Sequence, residues 1–192
     1  MGIGRPRGFA PQQVLDTATR LFWEHGYDGV SITDLTDATG INRRSLYDTF
    51  GSKEDLFRRA VEHYVAGPGG YAALALGLPT AREVAHAMVH GAADATSTPG
   101  RPSGCLLVQG ALACDAAPLQ ADMADLRAAG VAVLAERFAA AQSAGEIAGE
   151  NPVALARFIA ATCQGIAVQA RSGATREELH AIADQSLRAW PD

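Results

Sequence analysis

The sequence predicts an all-α protein made of a small N-terminal three-helix unit and a larger helical remainder. Three observations predict it. Apolar residues recur at helical spacing and no segment alternates convincingly as a strand. Helix-opening signals are frequent, with serine, threonine or asparagine caps ahead of acidic residues or proline. Aromatic residues are uneven: Phe9, Phe22, Trp23, Tyr27, Tyr47, Phe50, Phe57 and Tyr64, eight of twelve, lie before residue 65. A small unit needs such bulk to form a core from few residues. The alanine-rich remainder suits closely packed helices, and the change comes near Gly67-Pro68-Gly69-Gly70.

The elements follow in order. A first helix runs from about Pro11, a first-turn proline, to His25, and Gly26 stops it. Val14, Ala18, Leu21, Phe22 and His25 share one face. A second is capped by Ser31 and ends before Gly40, with Ile32, Leu35 and Ala38 inward. A third runs from Asn42 to about Phe50, anchored by Leu46 and Phe50. The fourth, about 52–67, is capped by Ser52, carries Glu54 and Asp55 in its first turn, and buries Leu56, Phe57, Ala60, Val61 and Tyr64. A capping box at Thr80-Ala81-Arg82-Glu83 opens a helix to about Thr96. A loop at 98–104 and an apolar helix from Cys105 to Cys114 follow. Pro118 opens a long helix to about Ser143. Asn151-Pro152 starts a helix to about Arg171, and Thr175-Arg176-Glu177-Glu178 starts a last one to Trp190. The expected domains are 1–55 and 56–192, connected by the fourth helix.

The bulk numbers exclude several classes. The chain has 192 residues, 48% apolar and 19% charged, with net charge −5. No apolar run suggests a membrane span, and Arg5 and Arg7 are not followed by the apolar core of a signal peptide. Three cysteines, Cys105, Cys114 and Cys163, have no metal-ligand spacing, which points to free thiols and a cytoplasmic location. No nucleophile elbow, phosphate-cradling loop or paired metal motif appears, and His25, His63, His86, His90 and His180 lack an evident nucleophile. An enzyme is therefore the weaker reading, as is a helical adaptor that binds only proteins. No cofactor is implied.

Residues 31–57 carry the functional signal. Two short helices separated by Gly40, the second bearing Arg43 and Arg44, make a helix-turn-helix, the unit that lays one helix in the major groove of double-stranded DNA. Residues 1–60 hold eight basic and eight acidic side chains, so placement rather than net charge must attract phosphate. With Leu46 and Phe50 inward, Asn42, Arg43, Arg44, Ser45, Tyr47, Asp48 and Thr49 are left wholly or partly outward. Arginine pairs bidentately with guanine, while Asn, Ser, Thr and Tyr suit bases or phosphates. Lys53 suits a phosphate, Thr33 the flanking strand, and Arg5 and Arg7 an arm to the minor groove or backbone. Asp48 has three readings: acceptor from a cytosine amine, orienter of Arg44, or repellent of wrong sites.

The runs Leu21–Tyr27, Ser31-Ile32, Leu35, Gly40-Ile41 and Ser45–Leu56 resemble the tetracycline-repressor (TetR/AcrR) family of bacterial transcription regulators. The pattern of Tyr47, Phe50, Lys53, Glu54 and Leu56 is specific. The resemblance covers about the first 65 residues, and the rest is similar in length and helical layout to the family's effector-binding and dimerisation domain. It implies a homodimeric repressor released from its operator by a small molecule. It also implies DNA contacts at Thr33, Arg43, Arg44, Ser45, Tyr47, Thr49 and Lys53. Arg43-Arg44 is more basic than many members show there.

On that basis the last two helices are candidates for the dimer, with Phe158, Ile159, Ile166, Leu179, Ile182 and Leu187 as apolar area. The middle helices should enclose a mostly apolar pocket, with Met88, Cys105, Gln109, Met123, Phe138 and Gln164 as candidate lining. Cys105, at a helix start, is either a sensor of electrophiles and oxidants or a buried inert thiol. His86 and His90, at i and i+4, are weak metal candidates, with a solvated polar face as the alternative.

Overall fold

The computed structural model describes residues 10–112, 114–147 and 149–191. Among them, ten helices follow one another and no strand occurs: α1 (Pro11–His25), α2 (Ile32–Thr39), α3 (Arg43–Phe50), α4 (Lys53–Ala66), α5 (Tyr71–Leu76), α6 (Ala81–Thr96), α7 (Leu106–Gln109), α8 (Ala117–Ser143), α9 (Pro152–Arg171) and α10 (Arg176–Leu187). Four helices open with reciprocal capping boxes. The Ser31 hydroxyl accepts the Asp34 amide at 3.1 Å while the Asp34 carboxylate accepts the Ser31 amide at 2.8 Å. Ser52 with Asp55, Thr80 with Glu83 and Thr175 with Glu178 repeat the arrangement. Each box satisfies amides that a helix start would otherwise leave unpaired.

Two hydrophobic cores result. The first joins α1–α4 to residues 106–123. Its centre is aromatic: Phe22 meets Phe57 edge-on at 5.2 Å between ring centres, and Trp23 meets Tyr64 at 4.8 Å. The second joins α6, α9 and α10 to the later part of α8. The 27-residue α8 reaches both, giving Leu119 and Met123 to the first and Leu134, Phe138 and Ala141 to the second.

The structure departs from the sequence reading at four places. Residues 71–76, to which the sequence reading assigned no element, form α5. This short helix lies against α6 because Gly91 carries no side chain; a Cβ there would stand 2.7 Å from the Tyr71 ring. The helix expected over Cys105–Cys114 is one turn long and ends at Gly110, whose carbonyl accepts the Tyr27 amide at 2.7 Å. The last helix ends at Leu187, and Trp190 folds back to meet Phe138 at 5.0 Å. Finally, α9 is long and apolar enough to cross a bilayer by length and composition. Here it packs its buried side into the second core through Ile159, Cys163 and Ile166.

A histidine pair joins α6 to α10. His90 Nδ1 lies 2.8 Å from His180 Nδ1, and His180 Nε2 lies 2.8 Å from Asp94 Oδ1, which also pairs with Arg176. His90 Nε2 is 3.2 Å from Asp184 Oδ1 but not aligned for a hydrogen bond. His86 stacks on His90 at 4.1 Å. The described residues contain no group of three or more His, Cys, Asp and Glu placed to hold a metal ion. Burial, then the neighbouring His86 and His180, hold the His90 imidazole below its ordinary pKa, with Asp184 opposing. The folded chain therefore takes up this proton less readily than the unfolded one. That contribution is complete above about pH 6.5 and declines as the pH falls toward the folded-state value. Thermal unfolding should show a lower midpoint at pH 5.5 than at pH 7.5, and His90→Asn should shrink that difference.

Candidate nucleic-acid interface and ligand cavity

The interface is built from α2, a tight turn and α3. Gly40 ends α2 in the left-handed region, at φ 71°, which lets the chain reverse within three residues. Ile41 is then buried, and Asn42 caps α3 by accepting the Ser45 amide at 2.8 Å. The Asn42 side-chain oxygen is thus committed to the cap, leaving its amide hydrogens free to reach outward. Leu46 and Phe50 are buried in the first core, so α3 has a fixed inner side. Arg43, Arg44, Tyr47 and Asp48 are exposed, Ser45 and Thr49 half-buried, and Thr33 exposed on α2. The Arg44 side chain is 91% exposed and lies 3.7 Å from the Asp48 carboxylate one turn on. An exposed pair of this kind is worth under about 1 kcal/mol and orients more than it stabilises. Arg5 and Arg7 lie outside the described residues.

Lys53 begins α4 beside this surface. Its Nζ sits over the Tyr27 ring, 4.1 Å from the centre, and partial burial lowers its pKa despite the opposing charges of Asp28 and Glu54. The ring pins the ammonium at the helix start, where the α4 amides also favour anions. Arg59, which sequence reasoning did not single out, donates to the Thr49 carbonyl at 3.4 Å and lies over the Phe50 ring, tying the end of α3 to α4.

The reading head is bonded to the rest of the chain at several points. The Trp23 indole donates to the Gly104 carbonyl at 3.0 Å, and the Gln109 side-chain amide donates to the Trp23 carbonyl at 2.7 Å. The Arg171 guanidinium donates to the Glu24 carbonyl at 2.8 Å. Arg58 pairs with Asp122 on α8 at 2.8 Å.

Behind these ties lies a cavity of about 370 Å³ between α4, α5, α6, α7, α8 and α9. Of the sequence candidates, Met88, Cys105 and Gln164 line it. Gln109, Met123 and Phe138 do not. Gln109 is bonded to α1, Met123 is buried in the first core, and Phe138 packs in the second against Trp190. Periodicity could not separate a residue facing a void from one facing packed side chains. Sequence reasoning missed Tyr64, Tyr71 and Arg127, all on the wall. The Arg127 guanidinium is held there by the Leu107 carbonyl at 2.7 Å. Burial raises the Tyr71 phenol well above its ordinary pKa and pushes the Cys163 thiol up to about 12. The wall is therefore mostly apolar, with neutral polar groups and the Arg127 guanidinium as its anchors. Cys105 opens a helix of only four residues, so the helix-start argument for a reactive thiolate loses force.

The outer side of α9 and α10 carries a shallow apolar groove. Phe158 and Ile182 stand on it, each 37% exposed, with Thr162, Gly165, Gln169 and Gln185 between them. Ile159, Ile166 and Leu179 are fully buried in the chain's own second core, and Leu187 is half-buried against it. Four of the six dimer candidates therefore pack in or against the chain's own core, and Phe158 and Ile182 face outward.

Comparison with known proteins decides the family. The family model described as "Bacterial regulatory proteins, tetR family" matches residues 14–60. The HTH-type transcriptional repressor ComR of Escherichia coli (strain K12) is 32% identical over 194 residues, spanning 98% of this chain and 92% of ComR. The chain belongs to the tetR family. BdcR, a second HTH-type transcriptional repressor of that strain, is 40% identical over 112 residues, or 56% of this chain and 55% of BdcR. Among solved structures, a cysteine-substituted TetR family transcriptional regulator CifR, complexed with 26-bp double-strand operator DNA, superposes with a TM-score of 0.93. It is 35% identical, and the match covers 98% of this chain and 100% of CifR. As a member of the tetR family, this chain is a helix-turn-helix transcriptional regulator, and α2 and α3 lie within the matched region.

The exposures of the three thiols order their reactivity. Cys105 is half-buried, whereas Cys114 and Cys163 are buried. N-ethylmaleimide should add one group to the folded chain, at Cys105, and three only after denaturation, as read by intact and peptide mass.

Proposed function

We propose that this chain is a cytoplasmic, homodimeric repressor that covers operator DNA through α3 and releases it when a small, mostly apolar molecule fills the cavity. The observation that carries the reading is the two-sided α3. Leu46 and Phe50 fix one side to the head, while Arg43, Arg44 and Tyr47 are exposed on the other. One head of this size reads only a few base pairs; two, spaced by about one DNA turn of ~34 Å, supply useful affinity. The groove at Phe158 and Ile182 supports pairing through α9 and α10, as a four-helix arrangement across a two-fold axis. The relative ComR is named a repressor, and the structural relative CifR was solved on operator DNA; both support operator occupancy as the working state. Cavity size and an apolar wall with few polar anchors support a compact hydrophobic effector.

Two substitutions test the reading. Arg44→Ala removes a side chain that touches only solvent and Asp48, so the thermal midpoint should stay within about a degree. Loss of one base contact is worth about 1–3 kcal/mol, so binding to a duplex that this protein selects from a random pool should weaken about fivefold or more. Unchanged binding at physiological salt would remove Arg44 from the interface. Phe158→Glu places a charge in the α9–α10 groove; sedimentation should then show a monomer where the unsubstituted chain shows a dimer.

A further inference from the structure

The backbone from Gly104 to Gly110 is where the cavity and the reading head meet. Cys105, Leu107 and Val108 line the cavity, and the residues flanking them are bonded to α1 and to the turn after it. The Gly104 carbonyl accepts the Trp23 indole at 3.0 Å, and the Gly110 carbonyl accepts the Tyr27 amide at 2.7 Å. Gln109 closes the arrangement. Its side-chain amide donates to the Trp23 carbonyl at 2.7 Å and to the Ser103 carbonyl at 3.2 Å. One planar group thus joins the head to the segment entering the cavity wall. Gly104 sits at φ +87°, and a Cβ there would overlap the Gln109 side-chain oxygen, so this approach depends on glycine.

We infer that Gln109 is a positioning residue that transmits occupancy of the cavity to α1. This rests on the proposed reading that the cavity holds an effector and α3 holds DNA. A molecule pressing on Cys105, Leu107 and Val108 displaces the carbonyls on either side of them. While the Gln109 amide holds, Trp23 must follow, and α1 carries Trp23 in the same aromatic core that seats α3. A second connection also runs from the cavity toward DNA: Tyr64 lines the wall on α4, the helix that starts at Lys53. The Gln109 connection differs in resting on one side chain that touches neither DNA nor cavity contents, so it can be removed without altering either binding surface.

The test uses the full chain, the singly alkylated N-ethylmaleimide adduct of Cys105 as a tethered occupant, and a duplex the protein selects from a random pool. Gln109→Met keeps the length and removes both donors; Trp23→Phe removes the indole bond and keeps an aromatic ring, guarding against misfolding of the first variant. In the unsubstituted chain, alkylation should weaken duplex binding at least tenfold. In Gln109→Met, alkylation should change binding less than threefold, with unalkylated binding close to that of the unsubstituted chain. Equal weakening in both, which would place the transmission in α4 or in the Gly104 and Gly110 carbonyl bonds, overturns the inference. So does the absence of any effect of alkylation in the unsubstituted chain. Should no duplex be selected, the proposed function fails instead, and the backbone amide resonances of residues 43–50 decide the inference. They shift on alkylation of the unsubstituted chain and stay in place in Gln109→Met if it holds; a shift in both, or in neither, overturns it.

Discussion

An eight-residue helix has no stability of its own in water, because a single nucleated turn costs more than so few hydrogen bonds return. The orientation of α3 is therefore set from outside, by Leu46 and Phe50 against an aromatic core made of α1, α4 and the chain around residues 106–123. The Asn42 cap supplies the other restraint, satisfying an amide at the start of the helix. Everything proposed about nucleotide contact depends on that one-sided burial. It leaves the arginines, Tyr47 and Asp48 outside while denying the helix freedom to roll.

Electrostatics acts locally on this frame. The chain is acidic overall, at −5, yet its first third is balanced. What distinguishes the α3 surface is position: two adjacent arginines whose charges face solvent, and a lysine whose ammonium is held over an aromatic ring instead of swinging freely. A pre-positioned cation loses less conformational freedom on meeting a phosphate than a mobile one. The carboxylates nearby are occupied as well. Asp34 and Asp55 are held below the usual carboxylate range by the Ser31 and Ser52 bonds, so they stay charged while serving helix starts.

The sequence made the helix starts legible because capping is local. Ser31, Ser52, Thr80, Asn151 and Thr175 each bond an amide two or three residues on, and no distant partner is involved. The two sides of α3 were legible for the same reason, since i, i+4 spacing of Leu46 and Phe50 is a property of one turn. What could not be read depends on long-range contact. α5 exists where Gly91 makes room for it twenty residues away from Tyr71, and α7 stops because Gly110 is needed by Tyr27. The cavity wall mixes five or more helices, so Met123 and Phe138 looked equivalent to Met88 until packing distinguished them. The last two helices show the same limit: Ile159 and Ile182 carry the same side chain, and only the tertiary fold turns one in and the other out.

The length of α8 has a mechanical consequence. At about 1.5 Å per residue its 27 residues form a strut of roughly 40 Å, and both hydrophobic clusters bolt onto it at opposite ends. Loosening either cluster strips side-chain support from half of the same rod, whose exposed remainder cannot hold its turns unaided. The two halves of the molecule are therefore expected to melt together, as a single thermal event.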